Sequence, residues 1–394
     1  MSIKYKDKMK YLILFLFSFF HVIITKNSKE EMYNKLLSQI EIIEDYKDSV
    51  FGLQLGANKP CEDNFFIQNI TLLNKEGIIF SIFDGHGGGT LSKFANILLY
   101  PYFLEAFNMN KLERDFNKRI ITSLKEAYKR IENEFLKISF NEHLKDNNKY
   151  TYLGSCALSA IIINKKIFIA NLGDSKARLF FLDKNNIKDN SSSKFNVKKV
   201  SKVFNIRKKN EQKRMKKKYK DDEDIYRCYG EKSCYIKGIL QPTRTFGDYT
   251  LKYVYFSLND FRDESMIKQY EKFYQGPYIS AKPDIKIYDL KDNFKYLILG
   301  SDGLWDVIKS RDMARLIYNF TEVNNKNNDF LNNKNYNYVE KISYGLINYA
   351  LINYSKENNK NGDYNYILNT PLGEKRRNIL DDITIITCDL SKYN

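Results

Sequence analysis

Histidine is nearly missing from this chain. His21, His86 and His143 are the only three in 394 residues, so no metal site can rest on a cluster of imidazoles, and any resident cation has to be held mainly by oxygen. Cysteine is also sparse. Cys61, Cys156, Cys228, Cys234 and Cys388 are odd in number and never adopt the CxxC spacing that gathers four thiolates around zinc. The same count argues against a disulfide framework. Cys228 and Cys234 are near enough in sequence to pair in an oxidising compartment, but free thiols are the expected state. No internal repeat is visible. The apolar run from Tyr11 to Ile24 is shorter than the roughly twenty residues a membrane span needs.

What the chain does have is a sizeable apolar fraction, 43% hydrophobic with 15% aromatic residues, enough for one large core or two ordinary ones. Its net charge is +16, which evenly spread would suggest nucleic acid or an anionic membrane. The surplus is instead concentrated: between Lys198 and Lys220 twelve lysines and arginines face one acid, Glu211. That stretch reads as a solvated loop, with few aromatics for base stacking and no nucleic-acid module. No nucleic-acid partner is expected.

Lys4, Lys6, Lys8 and Lys10 followed by the run at 11–24 resemble the charged and apolar parts of a secretory signal. Residues 1–27 are therefore expected to be a signal peptide or signal anchor, routing the protein to the secretory pathway, secreted or held by residues 11–24, its only membrane contact. A polar stretch from Lys29 to Lys47 has helical character. Short β-rich runs follow at 50–55, 65–73 and 77–83, the last ending in Gly85-His86-Gly87-Gly88-Gly89 before a helical pattern at 91–107. A second helix is expected at 115–138, and a hairpin of buried strands at 157–163 and 167–171. Stretches 183–236, 324–336 and 356–377 are rich in Asn, Lys, Ser or Asp and read as low-complexity inserts within one domain spanning 45–392.

Carboxylates recur at the borders of the apolar runs: Glu62-Asp63, Asp84, Asp302 and Asp381-Asp382. Strands deliver such residues rigidly to a common rim, where like charges would raise one another's pKa unless cations intervene. Hard divalent ions suit such a site, and two of them can lower the pKa of a shared water into the nucleophilic range. The pattern points to hydrolysis at phosphorus.

The wording around these acids resembles a family, the type 2C metal-dependent protein phosphatases. The blocks are Glu62-Asp63; Phe83-Asp84-Gly85-His86-Gly87-Gly88; Gly154-Ser155-Cys156-Ala157; Asn171 to Ala177; Gly238 to Asp248, with Thr243-Arg244; Ser301-Asp302-Gly303-Leu304-Trp305-Asp306; and Asp381-Asp382-Ile383-Thr384. They occur in order between about Val50 and Asp389. The resemblance implies an α+β fold of four layers, α-β-β-α: two antiparallel sheets packed as a sandwich, helices on both outer faces, and a binuclear metal site at one end. It further implies two Mg²⁺ or Mn²⁺ ions, with a possible third. Asp84 would bridge them, Glu62 and the Gly85 carbonyl would complete one shell, Asp302 and Asp381 the other, and Asp63 would support the site. Asp174 would help hold the third ion. Asp84 and His86 are the catalytic candidates, His86 as the general acid toward the departing serine or threonine oxygen. The protein would be a monomer acting on phosphoprotein substrates.

Two departures bear on function. The family places an arginine four residues before the metal-binding glutamate, where its fork can hold phosphate; this chain has Asn58, so phosphate binding falls to Asn58, to Lys59 or to a distant arginine. Position 382 is Asp where the family more often has Asn, which adds negative charge beside the metals. The alternative to a phosphatase is a weakly active or inactive scaffold that binds phosphoproteins, and Asn58 is its sole support.

Overall fold

The protein is described from a computed structural model covering residues 31–46, 49–182, 195–230, 233–257, 274–321 and 336–394. The segment 1–27 expected to be a signal peptide or signal anchor, with its apolar run 11–24, and most of the insert at 324–336 lie outside the described residues. No helix among the described residues is long and apolar enough to cross a membrane.

Strand β4 (Lys75–His86) shows why the centre of the chain reads as continuous apolar runs. From Ile78 to Phe83 every residue is buried, because both faces of the strand are covered. Ile78, Phe80 and Ile82 face one layer, while Ile79 and Phe83 face another. β4 lies between β3 (Asn64–Leu72) and β5 (Gly154–Ile163), which also pairs the short β11 (Phe246–Gly247), and the sheet continues through β6 (Lys166–Leu172) to β12 (Asp284–Asp289), all antiparallel. The second sheet runs in the order β1 (Ile40–Tyr46), β2 (Val50–Leu55), β14 (Ile383–Asp389), β13 (Phe294–Gly300), β7 (Lys176–Leu182), β8 (Phe195–Lys199).

Between the sheets lies a core that includes Val50, Phe65, Leu158, Leu297, Leu299 and Ile386. The outer face of the first sheet is covered by α1 (Thr90–Met109) and α2 (Phe116–His143). The Asp115 carboxylate caps α2 by accepting from the N–H groups of Asn117 and Lys118. The other outer face carries later helices, among them one at Ser310–Thr321 and one at Tyr338–Glu357, the latter started by a capping box of Asn337 and Glu340. Four layers, α-β-β-α, are the result. The helices expected at 91–107 and 115–138, the expected strands and the 157–171 hairpin are all present.

Four expectations need correction. Among its described residues the stretch 29–47 is helical only at 31–37; β1 follows, pairing Ile40 with Leu55 and Glu41 with Gln54, because an open edge beside β2 offers a ladder that outweighs local propensity. The insert at 183–236 is in large part folded. It holds β8, the helix α3 (Lys209–Lys218) and a hairpin of β9 (Tyr226–Cys228) with β10 (Cys234–Ile236). These pack a small core of Ile206, Met215, Tyr219, Ile225 and Ile236 against Leu251 and Ile279. Within that hairpin Cys228 sits directly opposite Cys234, with Cα atoms 4.0 Å apart, and the two form a disulfide rather than free thiols. Lastly, the stretch 356–377 contributes Tyr364, Ile367 and Leu368 to the core under the second sheet.

Candidate active site

The two sheets meet at one end in a rim of strand ends. β4 carries Asp84, Gly85 and His86; Glu62 and Asp63 precede β3; Asp302 follows β13; Asp381 precedes β14; and Asp174 occupies the turn from β6 into β7. Oxygens of Asp84, Asp174 and Asp302 all lie within 4.8 Å of one another. Asp84 Oδ2 accepts from the Ser175 hydroxyl and from the Asp302 N–H, both at 3.3 Å. Asp174 accepts from Cys156 Sγ at 3.2 Å and from Asn205 Nδ2 at 2.6 Å.

Burial, then Asp302, Asp63 and Asp174, holds the Asp84 carboxyl well above its ordinary value. Burial, then Asp381 and Asp174, does the same to Asp302. Asp381 is pushed up to about 6, chiefly by burial, with Arg377 opposing. Burial and Asp382 raise Glu62. So many carboxyls raised together form an oxygen-only donor set that suits hard divalent cations and no soft metal.

Asp63 stands apart from the three-carboxylate group. It is buried, and its Oδ2 accepts from Thr384 Oγ1 at 2.6 Å, so its contact links β3 to β14 beneath the rim. Gly85 is fixed by a close approach: a Cβ there would stand 2.4 Å from the Glu62 carbonyl oxygen and 2.7 Å from Ser92 Oγ. Only glycine lets Glu62 lie so near β4.

His86 Nε2 lies 2.9–3.0 Å from both carboxylate oxygens of Asp248. Burial works against its cationic form, but Asp248, Asp174 and Glu62 prevail and raise its pKa. Asp248 is held in turn by Thr245 Oγ1. The pair fits against Gly154, where a Cβ would collide with both side chains. Asp248 closes the block Gly238 to Asp248, but its separation of 162 residues from His86 leaves no local sign of the pair.

Asn58 and Lys59 are placed differently from expectation. Asn58 Nδ2 donates to Asp382 Oδ2 at 2.9 Å, and Lys59 is exposed. Asp382 is buried and also accepts from the N–H groups of Ala57, Asn58 and Glu62. Its charge therefore ties down the loop that presents Glu62. Asp382→Asn is expected to cost about 1–3 kcal/mol, because the new amide leaves the Glu62 N–H without its acceptor; urea unfolding measures it, and an unchanged midpoint would count against this role. A cation at the rim is Arg377, four residues before Asp381, whose Oδ2 lies 2.6 Å from the guanidinium. It also feels Asp302, Asp382 and Glu62.

A family profile described as Protein phosphatase 2C matches residues 50–359. Among curated relatives, the "Probable protein phosphatase 2C 79" of Arabidopsis thaliana is 25% identical over 288 residues, 70% of this chain and 70% of that protein. The mitochondrial [pyruvate dehydrogenase [acetyl-transferring]]-phosphatase 1 of Saccharomyces cerevisiae is 27% identical over 301 residues, 69% of this chain and half of the relative. Among solved structures, the serine-threonine phosphatase 2C of Toxoplasma gondii superposes with a TM-score of 0.56 at 16% identity, covering 89% of this chain and 98% of that one. A C. elegans sex determining protein gives 0.56 at 18% identity, covering 88% and 66%. With the profile spanning most of the sandwich and its rim, this chain belongs to the protein phosphatase 2C family of metal-dependent serine/threonine phosphatases.

Proposed function

We propose that the protein removes phosphate from phosphoserine or phosphothreonine in protein substrates with Glu62, the Gly85 carbonyl, Asp84, Asp302 and Asp381 holding two Mg²⁺ or Mn²⁺ ions, and Asp174 a third. The observation that carries this is the convergence of Asp84, Asp174 and Asp302 oxygens within 4.8 Å at the sandwich end. When bound, the cations supply a nucleophilic water at neutral pH and shield the charge of the phosphate. Asp84 and Asp302, on opposite sheets, fix where that charge is placed. Asp248 orients the His86 ring and favours its protonated form. With Nε2 committed to Asp248, the proton available to the departing hydroxyl oxygen is the one on Nδ1.

The scaffold reading depended on the missing arginine at position 58. Arg377 answers it. Its guanidinium stands on the rim, half-exposed, against Asp381, and its fork suits two phosphate oxygens. Mn²⁺-dependent release of phosphate from a phosphothreonine peptide tests the activity. In that assay Arg377→Ala is expected to raise KM by about tenfold or more with a smaller change in kcat, as for loss of one charge-assisted contact, and Arg377→Lys to recover only part. An unchanged KM would remove Arg377 from substrate binding.

A further inference from the structure

Beside the carboxylate rim, beyond the short helix α4 (Asp302–Trp305), the surface opens into a cavity of about 510 Å³. Among the described residues its lining includes Lys176, Arg178, Lys199, Lys202, Lys208 and Lys309, and no acid. Lys202 also lies 3.5 Å from the buried Glu211 behind it, and the remaining five cations, with no acid among the described residues of the wall, attract anions.

Arg178 forms the floor. It is 5% exposed, its Nε donates to Ser310 Oγ at 3.2 Å and its guanidinium to the Ala177 carbonyl at 2.8 Å. Among the described residues no carboxylate lies within ion-pair distance of it, and burial alone pushes its pKa down. A buried guanidinium without a counter-charge is costly. Lys176, two residues before it on β7, lines the same floor and feels the charge of Asp306. Asp306 is itself exposed and engaged by Arg207 at 3.2 Å. Both floor cations stand over the Trp305 ring, at 5.2 Å and 5.9 Å. Lys199, Lys202, Lys208 and Lys309 are exposed around the mouth.

The floor is continuous with the reaction centre. Lys176 follows Asp174 by two residues, about 7 Å of extended chain, and Trp305 lies within one turn of Asp302.

Building on the phosphatase reading, we propose that this cavity is a second anion subsite, which receives an additional phosphate on a phosphoprotein substrate while the phosphate to be cleaved sits at the carboxylate rim. A phosphate, with close to two negative charges and three strong acceptor oxygens, matches a buried guanidinium and a ring of ammonium groups better than a carboxylate does. The protein would therefore prefer clustered phosphosites.

The test uses the full-length protein. Trp305 is the only tryptophan in the chain, so its fluorescence reports the cavity without any catalysis. A peptide carrying phosphoserine alone, titrated into metal-free protein, is expected to give a saturable fluorescence change that is lost in the Lys199→Glu/Lys309→Glu double variant, whose sites are exposed. With Mn²⁺, a peptide bearing phosphothreonine plus a nearby phosphoserine is expected to exceed its singly phosphorylated counterpart in kcat/KM by about tenfold, and the ratio to fall to near one in the variant. Equal kcat/KM for the two peptides, or a fluorescence change that survives the charge reversal, overturns the subsite. A saturable, charge-dependent response with no turnover of any peptide supports the subsite and overturns the phosphatase reading instead.

Discussion

Asp84→Asn is expected to lower Mn²⁺-dependent phosphatase activity by on the order of 10³-fold or more, while in chelator-treated buffer it raises the melting temperature. The two effects have one cause. Asp84 sits at the centre of the carboxylates, and its charge is tolerable only when cations share the site. Its carboxyl is held above its ordinary value in the folded protein by burial, Asp302, Asp63 and Asp174. The folded state thus binds protons that the unfolded state releases. The contribution is fully favourable below about pH 4, the unfolded value, and is lost as pH rises through the folded value. Asp381, raised to about 6, adds a loss across pH 4–6. Metal-free wild type should therefore melt lower at pH 7.5 than at pH 5, Asp84→Asn should show a shallower dependence, and Mn²⁺ should raise the wild-type melting temperature most at the higher pH, since binding displaces protons. Calorimetry across pH, with and without chelator, measures all three. A variant that melts with the wild type at every pH would refute the charge-crowding account, and one that keeps its turnover would refute Asp84's catalytic place.

Lys252→Met should be the most destabilising single change on the His86 side of the site, at about 3–5 kcal/mol. Lys252 is 7% exposed; its Nζ donates to Glu132 Oε1 at 2.6 Å and to the Thr245 carbonyl at 2.9 Å. Glu132 projects from α2, and its other oxygen accepts from the Gly247 N–H at 3.0 Å. Removing Lys252 strands a buried carboxylate. It also loosens residues that need holding: Gly247 and Asp248 both have left-handed backbones, with φ of 69° and 52°, uncommon for Asp. Because Asp248 orients His86, kcat should fall along with stability. The double variant Glu132→Leu/Lys252→Met should regain much of the stability, since no charge is left unpaired, but not the kcat. Urea melts of the single and double variants decide this; a double variant no more stable than Lys252→Met would disprove the stranded-charge explanation.

The acids of the rim were readable because each borders an apolar run, and a strand buried on both faces announces itself over several consecutive residues, as Ile78 to Phe83 does. The supports of those acids were not. Asp382 bonds to Asn58 across 324 residues and Asp248 to His86 across 162, and a chain read in order gives no sign of such meetings. The stretch 183–236 reads as a structureless insert because the apolar residues of its described part, Ile206, Met215, Tyr219, Ile225 and Ile236, are spread singly among polar residues and become a core only when Leu251 and Ile279 arrive from elsewhere. Arg377 had the one legible clue, its i,i+4 spacing to Asp381, but the polar composition around it hid a folded segment.

Asp84 belongs to one sheet of the sandwich, while Asp302 and Asp381 flank strands of the other. The gap these oxygens must span is therefore gauged by a hydrocarbon spacer, the layer of Phe65, Leu158, Leu299 and Ile386 that keeps two sheets about 10 Å apart. Cations held by carboxylates of both sheets would act as a clasp on the sandwich, and the affinity of that clasp would depend on the thickness of oil beneath it.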